Sequence, residues 1–310
     1  MLELYDSIEH PEAKNAFGMP IYEIRKVLID QEIETVIQAL RCDVFRYLGV
    51  ADEQSDAVMA ECLNFARSYG NVTEYEQSAH AILLREGIAD AIPGKLAERA
   101  GIMYGQIQPH LLSGSVLDLG CGDARLALLL AQDGFALQLS DVYKNPYVAQ
   151  TGLPFQLLGQ SEALPFNDSQ FDNTLLLTVL HHSNNPLQVM QEAHRITRPG
   201  GRVIVIESVY GVNDQKLSAT RHSQVNQFLA LTQEQQRRVN IFFDHFYNRV
   251  IHYSSDPTQK VNVPFNFNTP DRWKQLFEQT GLKQEQVIFL GIDQPAVPEY
   301  HTLHLLTAVK

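Results

Sequence analysis

Apolar positions along this chain change rhythm near residue 112. Before it they recur at intervals of three and four: Ile33, Val36, Ile37 and Leu40, then Val58, Cys62, Leu63 and Ala66. That spacing lines one face of a helix. Residues from about 78 to 92 and from 94 to 111 also read as helix, separated by Pro93-Gly94. The pattern predicts a helical N-terminal region over 1–112, acting as a cap or as the surface of a homodimer.

From Ser115 onward, short apolar runs alternate with amphipathic segments. Val116–Leu119 predicts a strand and Ala124–Gln132 a helix stopped by Gly134. Leu137–Ser140, Phe155–Leu158 and Phe171–Val179 predict three more strands. Asn185 then caps a helix with Pro186 in its first turn, and Leu187, Met190, Ala193 and Ile196 keep helical spacing. "RPGGRVIVIES" gives a turn and a fifth strand. Strands alternating with helices predict a parallel sheet covered on both faces.

Residues 209–265 break this rhythm. They are polar and helix-prone, then aromatic in "NIFFDHFYNRVIHY", and read as an inserted lid. Thr269-Pro270 opens a further helix carrying Trp273, Leu276 and Phe277. The closing strands, Gln284–Gly291 and Thr302–Val309, are joined by a segment too short for a helical crossover, which predicts an antiparallel pair. The sheet domain is expected over 113–310, with 209–265 inserted after the fifth strand.

Composition narrows the function. With 45% apolar residues the 310-residue chain can bury a large core. The formal charge of −12, from 24 basic and 36 acidic residues, disfavours a dedicated binder of nucleic acid or of an anionic membrane. Cys42, Cys62 and Cys121 show no CxxC or zinc spacing, so the expectation is a reducing compartment without structural disulfides and no metal site. "MLELYDSIEHPEAKN" lacks the layout of a signal peptide, and no apolar run approaches the roughly 20 residues of a spanning helix. The expected location is cytoplasmic.

The chemistry concentrates at "VLDLGCGDA", where Gly120-Cys121-Gly122 joins a strand to a helix. Glycines there let a ligand approach the backbone, and the helix start offers free N–H groups. A dinucleotide fingerprint would need Gly or Ala at its sixth position, where this chain has Arg125. Asp118 and Asp123 flank the turn and would repel a diphosphate. They suit a ligand with an ammonium group and ribose hydroxyls but no phosphate, such as S-adenosylmethionine (SAM).

On these residues the chain resembles the class I SAM-dependent methyltransferases, through most of 99–208. "GQSEALPFNDSQFD" is similar to the family segment that lines the adenine, and "LTVLHHSNNPLQVMQEAHRITRPGGRVIVIE" resembles the small-molecule branch that includes the quinone-biosynthesis enzymes. The resemblance implies a Rossmann-like, seven-stranded doubly wound α/β sheet with an antiparallel last strand. It implies SAM as cofactor and S-adenosylhomocysteine as product. Asp118 would meet the methionine amino group through water, Gly120 and Gly122 would clear space, and Asp123 would border the cofactor. Asp141 would hold the ribose hydroxyls, with Val142, Gln160, Ser161 and Glu162 around the adenine. Thr178 would sit near the sulfur, and Arg99 and Tyr104 would close over the methionine end. Gln160 departs from the aspartate common in the family, and Glu162 would share its task.

Ligands of doubly wound sheets gather at the carboxyl ends of the strands. That puts His181, His182 and Glu207 among the catalytic candidates, His181 first as base or orienter of the acceptor. The insertion adds Asp244, His245, Tyr247, Asn248, His252 and Tyr253, and Tyr300 and His301 precede the last strand. His245, Tyr247 and His301 join the catalytic candidates as components of an aromatic lid, against the alternative that they pack inward. Asn184-Asn185-Pro186-Leu187 is not the stretch of nucleic-acid amino-methylating enzymes, so a small-molecule acceptor is expected, methylated at oxygen, nitrogen or carbon. Two other readings stay open: a SAM-binding regulatory subunit without turnover, and an NAD-dependent oxidoreductase.

Overall fold

Val116, Leu117, Asp118 and Leu119 are buried in succession, the mark of a strand flanked by parallel neighbours and covered on both faces. The computed structural model describes residues 27–68, 72–159, 163–212, 223–256, 259–292 and 298–309, without the side chains of 42, 43, 223 and 224. Its helices are α1 (Gln31–Tyr47), α2 (Asp52–Ser68), α3 (Val72–Arg85), α4 (Ile92–Ile107), α5 (Arg125–Gln132), α6 (Pro186–Ile196), α7 (Ser223–Ala230), α8 (Gln233–His245) and α9 (Pro270–Gln279). Its strands are β1 (Ser115–Leu119), β2 (Ala136–Asp141), β3 (Phe155–Leu157), β4 (Phe171–Leu177), β5 (Thr197–Ser208), β6 (Leu282–Gly291) and β7 (His301–Ala308). None of the described helices is long and apolar enough to cross a membrane.

The chain divides into two compact units. One holds Leu96–Ser208, Asn268–Leu290 and His301–Lys310. Its seven strands lie in the order β3-β2-β1-β4-β5-β7-β6. β1 pairs in parallel with β2 and β4, β2 with β3, and β4 with β5, while β7 runs antiparallel to β5. The mixed sheet with its reversed last strand is the one expected. Val116, Leu139, Leu175, Ile204 and Leu305 of the sheet bury against Met103 and Ile107 of α4 and Leu126, Ala127 and Leu130 of α5. Local chemistry starts two helices: the side chains of Asn185 and Thr269 accept from the N–H groups of Gln188 and Arg272, each with proline in the first turn. Pro93-Gly94 does not separate a pair of helices as expected. Pro93 lies in the first turn of α4, where its missing N–H has no helical partner to lose.

Among the described residues, the other unit draws on the stretches 27–95, 209–267 and 291–300. Its interior includes Ile37, Leu40 and Phe45 of α1, Met59 and Leu63 of α2, and Phe242 and Phe243 of α8. Thr232 and Gln235 form a capping box at the start of α8. Past His245 the helix widens into a π-helical stretch, Phe246–Ile251. The Phe246 ring stacks on Phe242 and meets Phe45 edge-on.

Candidate active site

The carboxyl end of β1 turns sharply because β2 holds it. The N–H groups of Gly120 and Cys121 both donate to the Ser140 carbonyl, at 2.8 and 3.1 Å. Gly120 has φ +79°, and a Cβ placed on it would lie 2.6 Å from Val179 Cγ2. Gly122 has φ +52° and open space where a side chain would stand. Ala124 adopts φ +60° as it leads into α5, a conformation that costs a side-chain-bearing residue about 1–2 kcal/mol.

Acids surround this turn. The Gly122 N–H donates to Asp141 Oδ2 at 2.9 Å, and the Val142 N–H to Asp141 Oδ1 at 2.7 Å. Burial pushes the Asp141 carboxyl above its ordinary range, and the N–H groups of Gly122, Val142 and Tyr143 hold it back. Asp118 is buried in β1, and its carboxyl is pushed up to about 7, first by burial and then by the charges of Asp141 and Asp123. Val142 stands 71% exposed at the end of β2.

Asp123 is turned on its own loop. Oδ1 accepts from the Arg125 N–H at 3.1 Å, and Oδ2 pairs with Arg125 Nε at 3.0 Å. The Arg125 guanidinium lies 4.2 Å from the centre of the Tyr147 ring. The Asp-x-Arg spacing was the available signal for this brace, and the motif-level reading of Asp123 missed it. Tyr104 also departs from expectation. Its ring packs against the sheet core, and its hydroxyl bonds Asp133, just past the last residue of α5 and at the opposite end of that helix from the glycine turn. Gln160, Ser161 and Glu162 lie outside the described residues.

The end of β4 carries the second half of the site. Thr178 has φ +60°, rare for a β-branched residue and a place where strain is held by its surroundings. Its N–H donates to the Ile206 carbonyl at 2.7 Å, its hydroxyl donates to the Leu177 carbonyl at 2.6 Å, and that hydroxyl accepts from Arg99 at 3.2 Å. Glu207, near the end of β5, is fully buried. Oε1 accepts from the N–H groups of Val179 and Leu180 at 3.0 and 2.6 Å, and Oε2 meets His181 Nδ1 at 2.5 Å. The His182 ring lies 4.0 Å from that of His181. His301 is buried with Nε2 3.2 Å from Ser208 Oγ.

Not every residue expected of the lid is available to an acceptor. His245 is buried in the helical unit, with Nε2 3.3 Å from Glu76 Oε1 and its ring stacked on Tyr75. Arg249 and Lys260 meet the same carboxylate at 3.0 and 2.8 Å. His245 therefore belongs to a buried ion cluster, which corrects its assignment as a catalytic candidate. Tyr247 is 8% exposed and meets the His252 ring edge-on. Asn248 donates to the Asp244 carboxylate at 2.8 Å.

Residues 117–205 match a family model described as a methyltransferase domain. This stretch, within the seven-stranded sheet above, is similar to SAM-dependent methyltransferase domains. Among its relatives, an uncharacterized protein of Methanocaldococcus jannaschii is 30% identical over 101 residues, 32% of this chain and 47% of that one. Ubiquinone biosynthesis O-methyltransferase of Klebsiella pneumoniae is 26% identical over 118 residues, 36% of this chain and 46% of that one. Mitochondrial 2-methoxy-6-polyprenyl-1,4-benzoquinol methylase of Mus musculus is 40% identical over 63 residues, 20% of this chain and 19% of that one. The chain thus spans less than half the length of these curated relatives. Among solved structures, a geranyl diphosphate C-methyltransferase from Streptomyces coelicolor is similar at 11% identity and a TM-score of 0.48, over 72% of this chain and 84% of that one. A SAM-dependent methyltransferase from Methanosarcina mazei is similar at 16% identity and a TM-score of 0.45, over 66% of this chain and 96% of that one.

The donor set fits such a cofactor. Two carboxylates flank an open glycine turn, one of them with its carboxyl pushed up by burial and then by the charges of its neighbours, and an exposed apolar side chain stands beside them. That is a place for a cation with hydroxyls and an aromatic base.

Proposed function

We propose that this protein is a SAM-dependent methyltransferase acting on a small organic acceptor. The observation that carries this reading is the lodging of the Asp141 carboxylate against the Gly122 N–H, beside buried Asp118. Asp141 would take the ribose hydroxyls, since a carboxylate offers two acceptor oxygens to a diol. Asp118 would answer the positive charge of the methionine end, and Val142 would support the adenine. Thr178 and Arg99 would border the reacting end. When bound, SAM supplies a methyl group on a sulfonium whose leaving thioether is neutral. The protein's own task is then alignment and exclusion of water, an effect worth about 7–11 kcal/mol for well-oriented reactants.

The small-molecule acceptor is supported by the acidic chain, with its formal charge of −12, and by the names of the relatives. Calorimetric titration with SAM, S-adenosylhomocysteine and NAD tests the cofactor. Binding of the first two without the third is expected, and the reverse would overturn the proposal. Product formation over a metabolite panel then distinguishes an enzyme from a SAM-binding subunit.

A further inference from the structure

We propose that Arg125 and Tyr147 are positioning residues that make the cofactor site selective for a nucleoside with an intact ribose diol. This rests on the methyltransferase reading above, with its ribose at Asp141. Two short loops meet there. One is the glycine turn, 120–124, which leads into α5. The other is 142–147, which leaves β2 directly after Asp141. The Asp141 carboxylate takes one donor from each: Gly122 N–H on Oδ2 at 2.9 Å and Val142 N–H on Oδ1 at 2.7 Å. The direction in which its oxygens face is therefore set by how the two loops lie against each other.

Arg125 bridges those loops a second time. Its Nε pairs with Asp123 Oδ2 at 3.0 Å on the side of the turn, and its guanidinium lies 4.2 Å from the centre of the Tyr147 ring on the other loop. A planar, permanently charged group serves a carboxylate and a ring at once. Both ends of the bridge are held. Leu126 and Ala127, next to Arg125, are buried in the sheet core, and so is Val148, next to Tyr147. The Tyr147 N–H donates to Asn145 Oδ1 at 2.9 Å, and the Arg125 N–H to Asp123 Oδ1 at 3.1 Å.

The consequence is chemical. A diol presents two hydroxyls to two carboxylate oxygens. Selectivity for it is greatest when those oxygens are fixed in advance, because an acceptor free to turn serves one hydroxyl nearly as well as two. Arg125 acts through Asp141: its guanidinium is engaged by Asp123 and Tyr147 and has no contact with the ribose to make.

Calorimetric titration of the full chain with S-adenosylhomocysteine and with its 2′-deoxy analogue tests this. The two ligands carry the same charge, so the ratio of their Kd values cancels both a general loosening of the fold and the charge of Asp123 that a change at Arg125 sets free. Wild-type protein is expected to prefer the intact ribose by about tenfold or more. Arg125→Gln and Tyr147→Leu are each expected to cut that preference by about threefold or more. Either variant alone suffices if the other fails to fold. Tyr147→Phe keeps the ring and should keep the preference. The double variant, Arg125→Gln with Tyr147→Leu, should lose no more than the larger single loss, because either change breaks the same bridge. Wild-type preference in the single variants, or losses that add in the double, would overturn the proposal. So would wild-type protein that binds both ligands alike. Failure to bind S-adenosylhomocysteine at all would instead remove the methyltransferase reading on which it stands.

Discussion

Val179 Cγ2 lies 2.6 Å from the point where a Cβ on Gly120 would stand. The glycine turn after β1 and the turn after β4 are therefore packed without a spare methyl between them. Gly120→Ala meets two obstacles at once, this contact and a φ of +79°. The backbone alone costs about 1–2 kcal/mol. The variant is expected to melt several degrees lower and to bind SAM at least tenfold more weakly. Gly120→Ala with Val179→Ala should recover some of the stability. Calorimetric titration and thermal melts check this, and an unchanged affinity for the single variant would show that the contact is not limiting.

Asp118 makes stability fall as pH rises. Its carboxyl is pushed from an ordinary 3.8 to about 7, so between those values the folded protein holds a proton that the unfolded chain has lost. Stability therefore decreases through that window and levels off above about pH 7. Asp118→Asn should flatten the dependence and raise the melting temperature of cofactor-free protein at alkaline pH, while weakening SAM. A bound cation favours the ionised form, so SAM binding near neutral pH should release protons. Titration in buffers of different ionisation enthalpy measures that release, and a variant that keeps the wild-type pH slope would rule out Asp118 as its source.

Asp141→Ala removes the acceptor of the Gly122 and Val142 N–H groups together with the proposed ribose contact. Hydrogen bonds to a charged group contribute about 1.5–3 kcal/mol. A loss of SAM affinity of about one to two orders of magnitude is expected, with a smaller loss for Asp141→Asn. Equilibrium titration of both variants decides it; wild-type affinity in Asp141→Ala would end the ribose assignment.

Glu76 lies at the centre of the helical unit. Burial alone would raise its carboxyl, but His245, Arg249 and Lys260 outweigh that and lower it to about 2. Its contribution to stability is present above the ordinary carboxylate value of 4.5 and is lost as pH falls toward 2. Glu76→Gln strands buried cations and should cost about 3–5 kcal/mol. Denaturant unfolding monitored by circular dichroism would register it, and a loss below about 1 kcal/mol, the value of an exposed pair, would mean that the cluster is solvated.

What the sequence revealed was what local chemistry controls. The strand from Val116 to Leu119 is marked by three apolar residues around Asp118, and Asn185 and Thr269 act within three residues of themselves. The seven-stranded sheet follows from such pieces in order. His245, Asn248 and His252, three and four residues apart and so expected on one helical face, were harder, because that spacing does not say which way the face turns. The widening of the helix after His245 carries no residue signature, and the partner of His245 is Glu76, on a distant helix. Tyr104 was hard to place for the same reason: its bond to Asp133 joins residues 29 positions apart, which no local pattern signals. Asp123 shows the converse, where a motif drew attention outward and the nearby Arg125 was the partner.

The Glu76 cluster also bears on synthesis. Its carboxylate stands 173 and 184 residues before Arg249 and Lys260. On the ribosome, α3 emerges with a lone acid facing what will become its interior, and the neutralising cations arrive only after every strand from β1 to β5 has been made. A fragment ending near Lys95, where the first stretch of the helical unit ends, would keep that acid and lose its partners, so that stretch should not survive as a separately expressed piece.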